Sequence, residues 1–182
     1  MLTNSYNILG IDPGNNLGIS CFTIDSTTND IIAINTELMV LSSMLQKEEH
    51  RIDKFILLQK IIRNLSTTYR PVAVGIESAF MNTKFANAVM QLSQYVSMIE
   101  YRLYKDNPYI KILKYPPKYV KSKIYKGTAD KQDMLCAIRN IPEIISLLDI
   151  TNISDHQVDA TAICYTLLQD IKQYPMILYS IM

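Results

Sequence analysis

The chain has 182 residues and a net charge of +1, and 48% of its residues are hydrophobic. This size and composition fit one globular domain with its own core, which we place over residues 1–182. No apolar run approaches the roughly 20 residues that a membrane-spanning helix needs, and the first residues lack the basic and apolar regions of a secretion signal. The three cysteines have no paired spacing and so indicate neither a zinc site nor a disulfide framework. We therefore expect a cytoplasmic protein with free thiols.

Three strands and a helix are predicted in the first part of the chain, followed by a fourth strand. Short apolar runs separated by turn residues are typical of strands, and Gly14 and Gly18 bracket the predicted turn between the first two. Apolar residues at i, i+3 and i+4 spacing from Ile52 to about Tyr69 indicate an amphipathic helix. The short apolar run after this helix is typical of a buried parallel strand. The predicted strands cover residues 8–11, 17–24, 31–39 and 72–76.

The second part of the chain alternates helices with one more strand. Ser154 followed by Gln157 is a capping-box pattern that starts the last helix. Antiparallel strands followed by helices interleaved with parallel strands predict an α/β domain with a mixed sheet. The other predicted elements are a long amphipathic helix over residues 84–104, a strand over 109–115, and helices over 118–124, 129–139 and 141–148.

Acidic residues stand at the ends of two predicted strands and at the start of the last helix. Asp12 ends the first strand and Glu77 ends the fourth, while Asp155, His156 and Asp159 share roughly one helix face. Each residue alone has an ordinary explanation, as a turn residue, an ion-pair partner or a helix cap. Carboxylates beside an apolar core are costly unless a cation compensates them, and converging oxygen ligands suit hard divalent cations. The pattern predicts metal-dependent phosphodiester chemistry.

A basic segment lies between the acidic positions. Residues 105–131 hold eight lysines against two aspartates, a net charge of +6 in a chain whose total is +1. Such a stripe is expected where a protein contacts the phosphate backbone of a nucleic acid, although a solvated lysine-rich surface would look the same. Its combination with an acidic metal site favours nucleic acid.

Four short motifs occur in order along nearly the whole chain, and together they resemble the RuvC family of bacterial Holliday-junction resolvases. The resemblance implies an RNase H-like fold, with a five-stranded mixed sheet whose first three strands are antiparallel and which helices flank. It also implies a homodimer that cuts four-way DNA junctions symmetrically with Mg²⁺ or Mn²⁺ and that pairs through the helix at residues 84–104. The motifs are Gly10-Ile11-Asp12-Pro13-Gly14, Ile76-Glu77-Ser78-Ala79-Phe80-Met81, Ala129-Asp130-Lys131 and Asp159-Ala160-Thr161-Ala162-Ile163.

The resemblance also suggests which residues act. Asp12, Glu77 and Asp159 would hold two metal ions. His156 stands where many members of the family carry aspartate, and it would serve as a metal ligand or as the acceptor of a proton from water. Lys131 would neutralise the scissile phosphate, whereas Asp155 is expected to act as a helix cap. The expected DNA contacts are a ring that stacks on an unpaired base and four lysines: Phe80, Lys118, Lys121, Lys123 and Lys126.

The acidic site and the resemblance together therefore imply an endodeoxyribonuclease that resolves four-way junctions by paired cleavage through two-metal hydrolysis, with no membrane partner and no organic cofactor. Two alternatives stay open: a broader nuclease for forks and flaps, and a non-catalytic junction-binding module if His156 spoils the metal site. Many Ile, Asn and Tyr residues with only 5 Gly suit an AT-rich phage or a low-GC bacterium. We accordingly expect the protein in a bacterial cell or in a phage-infected host.

Overall fold

A five-stranded mixed sheet forms the centre of the computed structural model, which describes residues 4–44, 51–79 and 86–179. The strands are β1 (Ser5–Asp12), β2 (Asn16–Asp25), β3 (Ile31–Val40), β4 (Ala73–Glu77) and β5 (Lys111–Tyr115). Their order is β3-β2-β1-β4-β5. The first three pair antiparallel, and β4 and β5 run parallel to β1. The predicted α/β class and the predicted strand directions are confirmed.

Helices cover both faces of the sheet. They are α1 (Arg51–Tyr69), α2 (Ala86–Asp106), α3 (Pro117–Ile124), α4 (Lys131–Arg139), α5 (Pro142–Ile145), α6 (Asp155–Gln173) and α7 (Met176–Tyr179). Because successive side chains of a strand point to opposite faces, β1 contributes to two cores. Ile8 packs into the core on the α6 face, whereas Leu9 and Ile11 pack into the core beneath α1 and α2. Hydrophobic burial on both faces fixes the register of the sheet.

Several predicted boundaries differ from the structure, and three of them have an identifiable cause or consequence. Gly18 lies inside β2, where it pairs with Asp12 of β1, and does not close the turn. The helix predicted from residue 129 begins at Lys131, because the Asp130 carboxylate accepts a hydrogen bond from the Asp133 N–H at 2.8 Å and caps the helix. The helix predicted over residues 141–148 is shorter: α5 ends at Ile145, and turn bonds follow it, as from the Leu148 N–H to the Ile144 carbonyl at 2.9 Å.

The start of α6 agrees with its sequence pattern. The Ser154 hydroxyl accepts a hydrogen bond from the Gln157 N–H, and the Gln157 side chain accepts one from the Ser154 N–H at 3.0 Å. This capping box sets the first turn of the helix that carries His156 and Asp159. Among the helices of the described residues, none is long and apolar enough to cross a membrane. Phe80 and the first two residues of the predicted 84–104 helix lie outside the described residues.

Candidate active site

Asp12 and Glu77 meet at one edge of the sheet because they end neighbouring parallel strands. The register pairs Ile11 of β1 with Ile76 of β4, so the next residue along each strand is one of the two acids. The carboxyl ends of parallel strands point to the same edge, which places both side chains at the C-terminal ends of β1 and β4. Both residues are only partly exposed.

Helix α6 brings His156 and Asp159 to the same edge because glycines let it approach the sheet closely. A Cβ atom on Gly18 would stand 2.0 Å from the carbonyl oxygen of His156, and a Cβ on Gly10 would stand 2.2 Å from the carbonyl oxygen of Ala160. No side chain fits at either position, so only glycine allows this contact of helix and sheet. The sequence motifs do not predict this role, although Gly10 lies two residues before Asp12 and Gly18 six residues after it.

His156 links Asp12 to a residue that the sequence analysis also missed. Its Nδ1 lies 2.6 Å from Asp12 Oδ2, and its Nε2 lies 3.2 Å from the side-chain nitrogen of Asn16. An amide NH₂ group donates hydrogen bonds, so with this orientation of Asn16 the Nε2 atom accepts and Nδ1–H donates to the Asp12 carboxylate. Asn16 is the first residue of β2 and His156 the second residue of α6. They are 140 residues apart, so no local pattern connects them.

The surroundings of the three carboxyl groups at this edge disfavour their ionised forms. Burial raises the pKa of Asp12 to about 6, although the hydrogen bond from His156 opposes the shift. Burial, and then the charges of Asp12 and Asp159, raise the pKa of Glu77 to about 8. Burial also raises the pKa of Asp159, against the nearby charges of His156 and Lys131. Each carboxylate therefore resists ionisation unless a positive charge joins the group.

A hard divalent cation fits this donor set. Three partly buried carboxyl groups supply the oxygen ligands that Mg²⁺ and Mn²⁺ prefer. A bound cation would also lower the free-energy cost of ionising these groups, which raises their pKa values. Within residues 4–44, 51–79 and 86–179, no three His, Cys, Asp or Glu side chains already stand arranged around one metal position. Asp12 and His156 bond to each other instead.

Two lysines line a cleft beside the carboxylates. The cleft has a volume of about 210 Å³, and its walls include Glu77, Asp159, Lys121 and Lys131. Lys131 is exposed and its Nζ lies 2.9 Å from Asp155, the first residue of α6. Lys121 donates from Nζ to the Ala129 carbonyl at 2.6 Å, and its charge lowers the pKa of Glu77. The positive charge in this cleft is suited to an anionic group placed against the carboxylates.

The other residues predicted to contact DNA have different surroundings in the structure. Lys118 lies on α3 near the cleft wall formed by Pro117 and Lys121. Lys126 follows α3 and pairs with Asp133 at 3.2 Å across an exposed surface. Lys123 turns away from the cleft and pairs with the buried Asp170 at 2.9 Å. Lys121 and Lys131 therefore line the cleft, although Lys131 also pairs with Asp155, whereas Lys123 and Lys126 pair with Asp170 and Asp133. Phe80, which is predicted to stack on an unpaired base, lies outside the described residues.

Comparisons with known proteins agree with this geometry. The family model described as Crossover junction endodeoxyribonuclease RuvC matches residues 8–166. The structure of RuvC from Thermus thermophilus matches with a TM-score of 0.69 at 20% identity, covering 92% of this chain and 96% of that one. A T. thermophilus RuvC structure in complex with a Holliday junction substrate gives the same TM-score and coverage at 16% identity. The yeast mitochondrial Holliday junction resolvase gives 0.67 at 13% identity, covering 100% and 89%.

No curated protein sequence matches the chain. At these identities the solved structures demonstrate a shared fold, and the predicted RNase H-like architecture is confirmed.

Proposed function

The chain belongs to the family of the crossover junction endodeoxyribonuclease RuvC, and from this premise we propose that it resolves four-way DNA junctions by paired, symmetric strand cleavage that depends on divalent metal ions. The observation that carries the proposal is the meeting of Asp12, Glu77 and Asp159 with His156 at one edge of the sheet, beside a cleft lined by lysine. The cytoplasm of a bacterial cell or a phage-infected host is the proposed place of action.

Asp12, Glu77, His156 and Asp159 would hold two Mg²⁺ ions, for which Mn²⁺ substitutes. When bound, such ions lower the pKa of a bound water and stabilise the charge on the leaving 3′-oxygen. The reaction forms a bond between the water oxygen and phosphorus and breaks the bond from phosphorus to the 3′-oxygen. Without metal, His156 donates to Asp12 through Nδ1 and holds that carboxylate in place; as a ligand it would offer a ring nitrogen to the ion in place of one of its present hydrogen bonds.

The lysines of the cleft contribute binding and charge. Lys131 is proposed to stand by the scissile phosphate, because it lines the cleft together with Glu77 and Asp159 and its side chain is 74% exposed. Lys118, Lys121 and Lys126 are proposed to contact the backbone of the junction arms, and Phe80 to stack on an unpaired base. Each phosphate that a lysine neutralises releases counterions, so binding should weaken steeply as salt is raised.

Two symmetric cuts require two sites, which we propose a homodimer supplies. The proposed contact is the helix predicted over residues 84–104, most of which lies in α2. This helix buries Tyr95 and Ile99 against the sheet and leaves Met90, Tyr101 and Tyr104 exposed. Exposed large apolar side chains on an otherwise packed helix are typical of protein contacts. Light scattering at micromolar concentration measures the oligomeric state directly.

The function is tested with four-way, three-way and flap substrates of matched sequence, each labelled on every strand. The proposal predicts that the four-way junction is cut fastest in Mg²⁺, at two opposed positions, and that EDTA stops the reaction. Equal initial rates on all three substrates would favour a broader branched-DNA nuclease. Tight binding without cleavage in either Mg²⁺ or Mn²⁺ would favour a non-catalytic junction-binding module.

A further inference from the structure

Asp170 is a buried carboxylate that the proposed chemistry does not use. It lies on α6, 11 residues after Asp159, about 16 Å further along the helix axis. Its side chain is only 8% exposed. A buried carboxylate is costly unless positive charge and hydrogen bonds compensate it, so the partners of Asp170 indicate what this position does.

The side chains that hydrogen-bond or ion-pair with the Asp170 carboxylate at 2.9–3.3 Å lie on α3. The Tyr119 hydroxyl donates to the carboxylate, with its oxygen 3.0 and 3.3 Å from the two acceptor oxygens. Lys123 Nζ lies 2.9 Å from Oδ1, and this contact raises the pKa of Lys123. The same Nζ lies 5.3 Å from the centre of the Tyr119 ring. Three groups thus hold one another in a single arrangement between α3 and α6.

The Tyr119 ring extends this arrangement to the sheet. It stacks on Tyr115 with a centroid distance of 5.7 Å and an interplanar angle of 1°. Tyr115 ends β5, where it pairs in register with Glu77 of β4. The Tyr115 hydroxyl has no hydrogen-bond partner among the described residues, although burial and then the charge of Asp170 raise its pKa. The stack connects α3 to the strand beside one of the proposed metal ligands.

Helix α3 needs such an anchor because it is short. It spans 8 residues, and its N-cap, Pro116, makes no side-chain capping hydrogen bond. Helices of this length are not stable alone, so tertiary contacts set their position. Lys121 lies between the two partners of Asp170 in sequence. It is the charged residue of α3 that lines the cleft with Glu77 and Asp159, beside Pro117 and Val120 of the same helix. Movement of α3 would displace Lys121 from the carboxylates.

We propose that Asp170, Lys123 and Tyr119 form a positioning lock that fixes α3 on α6 and so aims Lys121 at the active-site cleft. Lys123 then acts inside the protein and not on the DNA backbone. This inference rests on the proposed function, since Lys121 is expected to face DNA bound for cleavage. It concerns residues that lie outside the metal-ligand set and away from the substrate.

The test compares Lys123→Met with the wild-type protein on a labelled four-way junction. Single-turnover cleavage with junction saturated by protein measures the rate after binding, and titrations at several salt concentrations measure affinity and its salt slope. The lock predicts a cleavage rate about tenfold lower, because a displaced group loses its orientation, and an affinity and salt slope that fall no further than those of Lys121→Met, since both variants remove Lys121 from its phosphate. Lys121→Met/Lys123→Met should cleave no more slowly than Lys121→Met alone, since Lys123 acts through Lys121.

Two tyrosine variants give a matched control that leaves the fold less disturbed. Tyr119→Phe removes the hydroxyl that Asp170 accepts from, whereas Tyr115→Phe removes the neighbouring hydroxyl that has no hydrogen-bond partner among the described residues. Both substitutions keep the stacked rings. We expect Tyr119→Phe to slow cleavage of bound junction about threefold or more, and Tyr115→Phe to cleave like the wild type.

Three results would overturn the lock. Weaker junction binding by Lys123→Met, with a salt slope lower by about one and normal cleavage of bound junction, would make Lys123 a DNA contact. A lower melting temperature with unchanged cleavage would make the cluster purely structural. Additive losses in the double variant would separate Lys123 from Lys121. If the wild type fails to cut, the proposed function falls and this inference with it; the other results overturn the inference alone.

Discussion

Replacing Glu77 with glutamine should stabilise the fold in the absence of metal. Glu77 ends β4 beside Asp12, where burial is the main cause that raises its pKa from 4.5 to about 8. Glutamine keeps the size and shape of the side chain but removes the charge that this position disfavours. The variant should lose a proposed metal ligand and gain stability at the same time, which a residue chosen for stability alone would not do.

The magnitude follows from linkage between proton binding and folding. Between pH 4.5 and about 8 the folded chain binds a proton at Glu77 that the unfolded chain has already released. The wild type therefore has its full stability below pH 4.5, loses it as pH rises towards 8, and levels off above. Each pKa unit corresponds to about 1.4 kcal/mol, so the limit is about 5 kcal/mol. Relaxation of water and side chains around the charge should leave about 2–4 kcal/mol.

The assay is thermal and urea unfolding at pH 8.5 in EDTA, and again with Mg²⁺ or Mn²⁺. For a domain of this size the gain corresponds to a melting temperature about 5–10 °C higher for Glu77→Gln than for the wild type. Divalent metal should raise the wild-type melting temperature, because it binds the folded state, and should raise that of the variant much less. Glu143→Gln, an exposed position on α5, is the matched control and should change stability by less than about 0.5 kcal/mol.

The reasoning fails if Glu77→Gln is no more stable than the wild type in EDTA at pH 8.5. It also fails if the wild-type unfolding free energy is flat between pH 5 and 9. Equal stabilisation of both proteins by metal would place the metal elsewhere in the molecule.

Three further predictions follow from the contacts around the site. Gly18→Ala should destabilise the fold by at least about 2 kcal/mol in urea unfolding, because its Cβ would stand 2.0 Å from a backbone oxygen of α6. Gly14→Ala, whose Cβ would have its nearest contact at 3.5 Å, should stay within about 0.5 kcal/mol; equal effects would contradict the close approach. Lys121→Met should weaken junction binding and lower the salt slope by about one in titrations, and an unchanged slope would exclude a phosphate contact. In single-turnover assays His156→Asp should keep metal-dependent cleavage and His156→Ala should lose most of it, because only the aspartate retains a ligand atom. Faster cleavage by His156→Ala than by His156→Asp would count against a ligand role.

The sheet and its acidic edge could be predicted because local patterns determine them. Asp12 and Glu77 each follow an apolar run, and the ends of neighbouring parallel strands come together whatever the rest of the chain does. The start of α6 could be predicted from Ser154 and Gln157, which form the capping box within four residues. These features depend on residues that are close in sequence or on the periodicity of one element.

Features that depend on distant residues could not be predicted. Asn16 contacts His156 across 140 residues, and Tyr119 contacts Asp170 across 51. Neither residue carries a local signal of its partner. The lysines looked equivalent in sequence, yet Lys123 lies beside a buried acid while Lys121 lines the cleft, because helical rotation sends neighbouring residues to different surroundings.

The most direct test of the proposed metal-dependent cleavage uses one substitution, Asp12→Asn. A labelled mobile four-way junction is incubated with each protein, with Mg²⁺ or with EDTA, and both binding and cut positions are recorded. The wild type is expected to make two opposed cuts only with Mg²⁺. Asp12→Asn is expected to bind the junction with wild-type affinity and to leave it uncut. Cleavage by Asp12→Asn at the wild-type rate in Mg²⁺ would contradict the account.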